Sequence, residues 1–595
     1  VTGHPRVFRG RPTLEATSYQ ITENSLDVYT PSNLLPVYPA TEGLNQKTLQ
    51  RVIREALDIG IPGLVDYLPT AIQKRRGFLS LDKAIKGYHY PIDDIGLTKS
   101  RQRLAFDEFF LTQIAVLRQK KQREGNNPSV PIPANSTMLN SFLNSLPFNL
   151  TSAQNTALGE ILQDLQSTVP MSRLLQGEVG SGKTVVALTV MLMAASHNLQ
   201  AAMMAPTEIL AEQHFLTLSR LLSKLLIPGT ETHKITFKVD SHPHTMAIGL
   251  LLGSMKAREK RSLQQDLAQG EIDLIVGTHA LIQEEISIPK LALAVIDEQQ
   301  RFGVMQRRAL EQKGRNPHIL SMSATPIPRS LALTLYGDLD VSLIDMLPQG
   351  RQQVRTRWIR PDQRGPAYKF IREQIRAGTQ VFVVCPFIEE SETLQTRAAL
   401  REHARLAEEI FPDLKVGLLH GRMTLAEKIQ AMETFREGHL DILVSTPVIE
   451  VGVDVPNATV ILIESADRFG LSELHQFRGR VGRGPYPSYC ILQSDDPSND
   501  AKERLSVLER EHNGFRVSEE DLRLRGPGEL FGTRQSGLPD FKIAGPSDMD
   551  LLVQAREDAS SLLEHDPYLQ EASHQPLLLA VAEISKRIEA ANSVS

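Results

Sequence analysis

Short apolar runs alternate with longer amphipathic stretches through most of this chain. In a first cycle, the runs at 199–205, 272–276, 291–296 and 318–322 read as buried strands, with helices at 184–195 and 207–226. A second cycle begins near Gly350 and gives strands at 354–359, 381–386, 416–420, 442–446, 460–464 and 489–493. Strands apolar throughout and separated by helical spacing predict parallel sheets covered by helices, so the expected fold class is α/β. The first part of the chain differs. Residues 1–40 carry β-type and Pro-rich material, too little for a closed β domain and readable as the end of one. From Asn45 to Gly125 the pattern is helical, with turns at Gly60-Ile-Pro62 and His89-Tyr-Pro91. The helix expected over 98–122 has an apolar stripe of Leu104, Phe106, Phe109, Phe110, Ile114 and Leu117. Both its ends are basic, with Arg101, Arg103 and Lys120 among them, and read as a solvated face or as a strut beside DNA phosphates. Residues 125–133 form a polar linker. Residues 228–248, with His233, His242 and His244, read as a surface-loop insertion, because the segment is rich in Pro, Gly and Thr and no Cys joins the histidines to make a metal site.

Composition narrows the class. A length of 595 residues predicts about four domains, and the 41% hydrophobic and 23% charged fractions are those of an ordinary globular protein. No run approaches the roughly 18 apolar residues of a membrane span, and no signal-peptide pattern opens the chain. The expectation is a cytoplasmic protein with no membrane partner. Cys385 and Cys490 both sit in apolar strand-like runs and read as core thiols in a reducing compartment. With a net charge of −5, any nucleic-acid surface must be a local basic patch on a mildly acidic body.

The chemistry centres on Gly177-Glu178-Val179-Gly180-Ser181-Gly182-Lys183-Thr184, between an apolar strand and an apolar helix. Glycines let backbone N–H groups close around a β-phosphate, and the following helix points its positive end at the anion. Lys183 reaches the β- and γ-phosphates, and the Thr184 hydroxyl can ligate Mg²⁺. Upstream, Phe148 and Gln154 lie in a stretch where Thr151 can cap a helix; the Gln154 amide donates and accepts at once, which suits an adenine edge. The run at 291–296 ends in Asp297 and Glu298, where α/β sheets place ligands. Asp297 suits Mg²⁺ held through water, and Glu298 suits orienting and deprotonating the attacking water. In the second cycle no phosphate loop recurs. Instead Gln476-Phe-Arg478-Gly-Arg480-Val-Gly-Arg483 offers arginines that can face a γ-phosphate supplied by the first lobe.

These pieces, with Ser323-Ala-Thr325, resemble motifs I, II, III and VI of superfamily-two helicases. Within that group the chain is similar to the RecG family of branched-DNA translocases. The resemblance rests on Gly303-Val-Met-Gln-Arg307, on Ser445-Thr-Pro-Val-Ile-Glu-Val-Gly-Val-Asp-Val-Pro456 and on Glu464-Ser-Ala-Asp-Arg-Phe-Gly-Leu-Ser-Glu-Leu-His475. It also rests on the 521–537 segment, which is similar to the translocation motif shared by RecG and the transcription-repair coupling factor Mfd. Motif II departs from the usual family pattern by carrying Gln300 where His is common; Gln300 can still bridge to the motif III loop.

The resemblance implies two RecA-like lobes, at 146–350 and 351–497, with ATP·Mg²⁺ between them. It implies a remnant of an oligonucleotide-binding wedge at 1–40 whose barrel precedes Val1, a helical linker at 41–145, and a translocation hairpin in 498–595. Arg480 and Arg483 complete the ATP site, either one serving as the finger. By resemblance, Thr207, Ser254, Thr278, Arg422, Thr446, Arg534 and Gln535 contact DNA or couple it to hydrolysis. The implied function is ATP-dependent translocation on double-stranded DNA, reversing stalled forks and migrating Holliday junctions in recombination and repair. The implied protein is a monomer, with single-strand DNA-binding protein as a further partner. Two rivals share features: an Mfd-like translocase, which would need a polymerase-binding segment, and a DNA-binding scaffold switched by ATP, which would not need Glu298.

Overall fold

The computed structural model describes residues 2–8, 11–18, 34, 36–39, 44–126, 128–227, 232–239, 242–298, 310, 313–324, 339–348, 353–386, 399–447, 455–525 and 541–594. It divides into two compact units, one made of 1–115 with 541–586 and the other of 116–540 with 587–595.

The first unit opens with an antiparallel hairpin of β1 (Thr2–Phe8) and β2 (Arg11–Ser18). Helices follow as the turn signals require. The helix Gln46–Gly60 stops at a short 3₁₀ turn carrying Pro62, and the helix Leu81–His89 ends just before Pro91. Helix α1 (Asp94–Asn126) is longer at both ends than its sequence pattern predicts. Its stripe packs as expected: Phe106, Phe109, Phe110 and Ile114 are fully buried, and Phe106 stacks on Phe110 with ring centroids 5.6 Å apart.

At the basic N-terminal end of α1, Lys99 is exposed, but Arg101 and Arg103 are taken up by carboxylates of the same unit. Arg103 is completely buried, with Nη2 2.6 Å from Asp66 Oδ1 and Nε 2.8 Å from Asp107 Oδ1. Arg101 forms a two-pronged pair with Asp548, at 2.7 and 2.8 Å. The C-terminal part of the unit is bound in the same way. Glu108 accepts hydrogen bonds from the consecutive N–H groups of Lys542, Ile543 and Ala544, and Arg75 and Arg76 both pair with Asp558 on the helix Met549–His565. The region expected as one C-terminal segment, 498–595, is therefore divided between the two units. Because removing one member of a buried ion-pair cluster strands the others, Arg103→Met should destabilise this unit by about 3–5 kcal/mol, as read by urea unfolding.

The second unit holds both expected sheets. The first has eight strands: β3 (Ser172–Gly177), β4 (Gln200–Met204), β5 (Lys234–Phe237), β6 (Met246–Leu251), β7 (Leu274–Gly277), β8 (Leu291–Asp297), β9 (His318–Ser323) and β10 (Asp340–Ile344). Their spatial order is β10-β3-β9-β8-β4-β7-β6-β5, parallel except for β5 against β6. The segment 228–248 is thus more than a loop insertion. It contains β5 and the start of β6, with Phe237 fully buried and His242 nearly so. The second sheet has six strands, β11 (Arg355–Ile359), β12 (Gln380–Val384), β13 (Val416–Leu419), β14 (Ile442–Ser445), β15 (Ala458–Ile463) and β16 (Tyr489–Gln493). Their order is β11-β16-β15-β12-β14-β13, parallel throughout.

The central strands of both sheets are buried along their whole length because helices cover them, whereas the edge strands β5 and β11 alternate. The helices that shape the site are α2 (Ser152–Leu165), α3 (Lys183–Ser196), α4 (Glu208–Leu221), α5 (Leu471–Arg478), α6 (Asn499–Arg510) and α7 (Gly514–Arg525). From Val185 to Ala195 every residue of α3 is buried, as its unbroken apolar sequence predicts. Cys385 and Cys490 are buried free thiols in the second sheet's core, and burial pushes the Cys490 thiol up to about 12.

Candidate active site

Strand β3 delivers Gly177 to a tight loop that turns directly into α3. Gly180 and Gly182 adopt φ of 78° and 85°, which side-chain-bearing residues disfavour. At Gly182 there is also no space for a side chain, since a Cβ would overlap the Gln154 amide nitrogen. Gln154 is the third residue of α2, and its buried amide is committed on both sides. Its Oε1 accepts from the Thr151 N–H at 2.8 Å, completing a capping box with Thr151, and its Nε2 donates to the Ser181 carbonyl at 2.8 Å. The residue expected at an adenine edge thus also fastens the phosphate loop. Lys183 Nζ donates to the Gly177 and Glu178 carbonyls at 2.8 and 3.0 Å.

Strand β8 ends at Asp297, and Glu298 follows with φ of 52°, a left-handed conformation that a side-chain-bearing residue pays for in strain. Asp297 Oδ2 lies 2.6 Å from His214 Nε2 of α4. Burial alone would raise the Asp297 carboxyl, but His214 and then the Lys183 charge hold it below the usual carboxylate range. No signal in the sequence points to His214. It reaches Asp297, 83 positions away, because β4, which leads into α4, lies beside β8 in the sheet.

A cleft of about 1020 Å³ joins the two sheets. From the first sheet it is lined by Phe148, Gln154, Val179, Gly180, Gly182, Lys183, Thr184, Asp297 and Glu298. From the second, Gln476, Arg480 and Arg483 complete it. The two halves approach closely at Gly479, where a Cβ would lie 3.2 Å from that of Val179. Arg480 is buried, and Arg483 Nε donates to the Gly479 carbonyl at 3.3 Å. Arg478 does not line the cleft; it is buried among backbone carbonyls behind it.

Three phosphate-loop residues behave differently from the cradle expected. Gly177 and Ser181 do not line the cleft, and the Glu178 carboxylate turns away to accept from the Gly514 N–H at the start of α7. Among the DNA-side candidates, Thr207, Ser254 and Thr278 follow β4, β6 and β7, whose order in the sheet is β4-β7-β6. Arg422 and Thr446 follow the adjacent strands β13 and β14. Ser254 and Arg422 are exposed, whereas Thr278 and Thr446 are buried. Each lobe thus gathers these residues at one end of its sheet, and in the first lobe β3 and β8, which carry the phosphate loop and Asp297, end beside them. Gln300, Thr325, Gly303 to Arg307, Arg534 and Gln535 lie outside the described residues.

Comparison with known proteins agrees with this arrangement. Residues 151–334 match the DEAD/DEAH box helicase family, 366–485 the helicase conserved C-terminal domain, and 511–594 the C-terminal part of domain 3 of ATP-dependent DNA helicase RecG. The chain is 48% identical over 547 residues to ATP-dependent DNA helicase RecG of Synechocystis sp., covering 92% of this chain and 63% of that protein. It is 43% identical over 549 residues to the protein of that name from Streptococcus pneumoniae, covering 92% and 79%. A solved structure described as RecG bound to a three-way DNA junction matches with a TM-score of 0.67 and 38% identity, over 88% of this chain and 66% of that one. The chain therefore spans just under two thirds of the Synechocystis relative.

Proposed function

The chain belongs to the RecG family of ATP-dependent DNA helicases, and from that premise we propose that it couples ATP hydrolysis to translocation on branched double-stranded DNA. The reading includes reversal of stalled forks and migration of Holliday junctions in recombination and repair. The observation that carries it is the shared cleft: a phosphate loop and two carboxylates from one sheet face Arg480 and Arg483 from the other. A scaffold that merely binds ATP has no need of that opposition. Both halves come from one chain, so a monomer suffices.

The residues present fit ATP·Mg²⁺. Thr184 and Asp297 line the same cleft, and Asp297 is held in its ionised form, as a hard divalent cation requires. Bound Mg²⁺ would neutralise charge on the β- and γ-phosphates. The chain's own groups do the rest. The loop N–H groups and Lys183 hold the phosphates, Gln154 and Phe148 stand on the adenine side, Glu298 takes the proton of the attacking water, and the arginines meet the charge that develops. We assign 146–350 and 351–497 to the two lobes, 1–40 to a wedge remnant, 41–145 to a helical linker and 498–595 to the translocation and C-terminal region. Exposed Ser254 and Arg422 serve as phosphate contacts, while buried Thr278 and Thr446 shape the loops beside them.

The test is ATP turnover with and without forked DNA. A fork should stimulate hydrolysis, and its affinity should fall steeply with salt despite the protein's net charge of −5, by a log–log slope of about 0.9 per phosphate neutralised. Turnover indifferent to DNA at every salt concentration would overturn the proposal.

A further inference from the structure

Helix α7 is held by both lobes. Its body is fixed to α5 of the second lobe, where Ser472 Oγ donates to Asp521 Oδ2 at 2.8 Å. The turn before it is fixed by Arg478, which donates to the Leu508, Glu511 and His512 carbonyls and meets His475 Nδ1 at 2.7 Å. Asn513 caps the helix, its Oδ1 accepting from the Phe515 and Arg516 N–H groups at 2.9 and 3.3 Å. The Gly514 N–H is taken by Glu178, the second residue of the first lobe's phosphate loop. A carboxylate suits this place, facing the positive end of a helix. Beside the contact lies a cavity of about 240 Å³ lined by Glu178, Asp345, Gln353, His475 and Asn513, which leaves space for the contact to shift.

The same residue also answers to the nucleotide site. The backbone carbonyl of Glu178 is one of the acceptors that hold Lys183 Nζ, at 3.0 Å. When Lys183 turns to a phosphate it must release that carbonyl, which keeps the Ser181 N–H at 3.0 Å but loses its tie to the lysine, so the hold on the Glu178 peptide is loosened. At its far end α7 runs into residues 526–540, the stretch that carries Arg534 and Gln535, and the other compact unit resumes at Phe541.

We infer that Glu178 is a positioning residue that transmits nucleotide occupancy from the phosphate loop to α7, and through α7 to the segment that engages DNA. The inference rests on the proposed translocase reading and adds the physical link between hydrolysis and movement. Glu178 touches no reacting atom in this role.

Gly514→Pro tests the link from its other end. Proline is accepted at the first position of a helix, after an extended cap residue, and deletes only the N–H that Glu178 accepts. Gly514→Ala keeps that N–H and is the control. On forked DNA, Gly514→Pro should retain ATP turnover while base pairs unwound per ATP fall about tenfold, the worth of one hydrogen bond to a charged group. Gly514→Ala should keep the parent ratio. A proline ratio equal to the parent's, a parallel fall of both rates, or equal damage by alanine would overturn the inference. Hydrogen exchange on the unsubstituted protein gives a second reading that needs no variant to fold. The first turn of α7 should exchange faster when a non-hydrolysable ATP analogue binds; unchanged or slower exchange would overturn the link. If the parent protein itself fails to unwind forks, the translocase reading falls, while the exchange measurement still reports on the contact.

Discussion

Arg480→Ala is expected to slow ATP hydrolysis by about 10³–10⁵-fold, the cost of removing an arginine that meets transition-state charge. The choice of Arg480 over Arg483 as the larger effect follows from the structure. Arg480 is buried where it lines the cleft, so its charge acts in a water-poor setting, whereas Arg483 is less enclosed and already donates to the Gly479 carbonyl. Arg483→Ala should therefore lower turnover less. Nucleotide affinity should change little in either variant, because the phosphate loop lies on the other sheet. Single-turnover hydrolysis measured beside equilibrium nucleotide binding separates the two effects. Normal hydrolysis in both variants would mean that the second lobe contributes no charge to the reaction.

Glu298→Gln should cost about 10²–10⁴-fold in hydrolysis, the range for losing a general base, and should leave nucleotide binding intact. The amide keeps the shape of the side chain at a position whose backbone is already in the left-handed region, so little else is disturbed. Lys183→Ala should abolish hydrolysis too, but together with much of the phosphate grip. The pair is diagnostic. Glu298→Gln with full turnover would remove Glu298 from the role of base and leave Asp297 and Lys183 as binding groups only.

What the sequence made legible is what chemistry fixes at short range. The phosphate loop needs glycines at set intervals because φ near 80° recurs within it, and the Thr151–Gln154 spacing announces a capping box. The strands were legible because unbroken apolar runs admit little else. Less visible were pairings that exist only once the sheet is assembled. Nothing local marks His214 as the neighbour of Asp297, since adjacency of β4 and β8 creates the contact. Nor does local pattern reveal that Arg101 and Arg103 are neutralised by Asp548 and Asp66. A basic helix end looks the same on paper whether water or a distant carboxylate receives it. Residues 234–237 read as loop because their neighbours are Pro, Gly and Thr, yet pairing with β6 makes them a strand.

The chain's two units are nested, not consecutive: 116–540 is inserted between the halves of the other unit. A ribosome completing residue 115 must add 425 more (540 − 115) before Phe541 emerges to pack against Phe109, with ring centroids 5.2 Å apart, and before Ala544 presents its N–H to Glu108. At about 5–20 residues per second that wait is roughly 20–85 s. The two sheets therefore have time to form while the aromatic face of α1 is still without Phe541. Synthesis thus sets an order in which residues 116–540 are complete before the unit that surrounds them in sequence is closed.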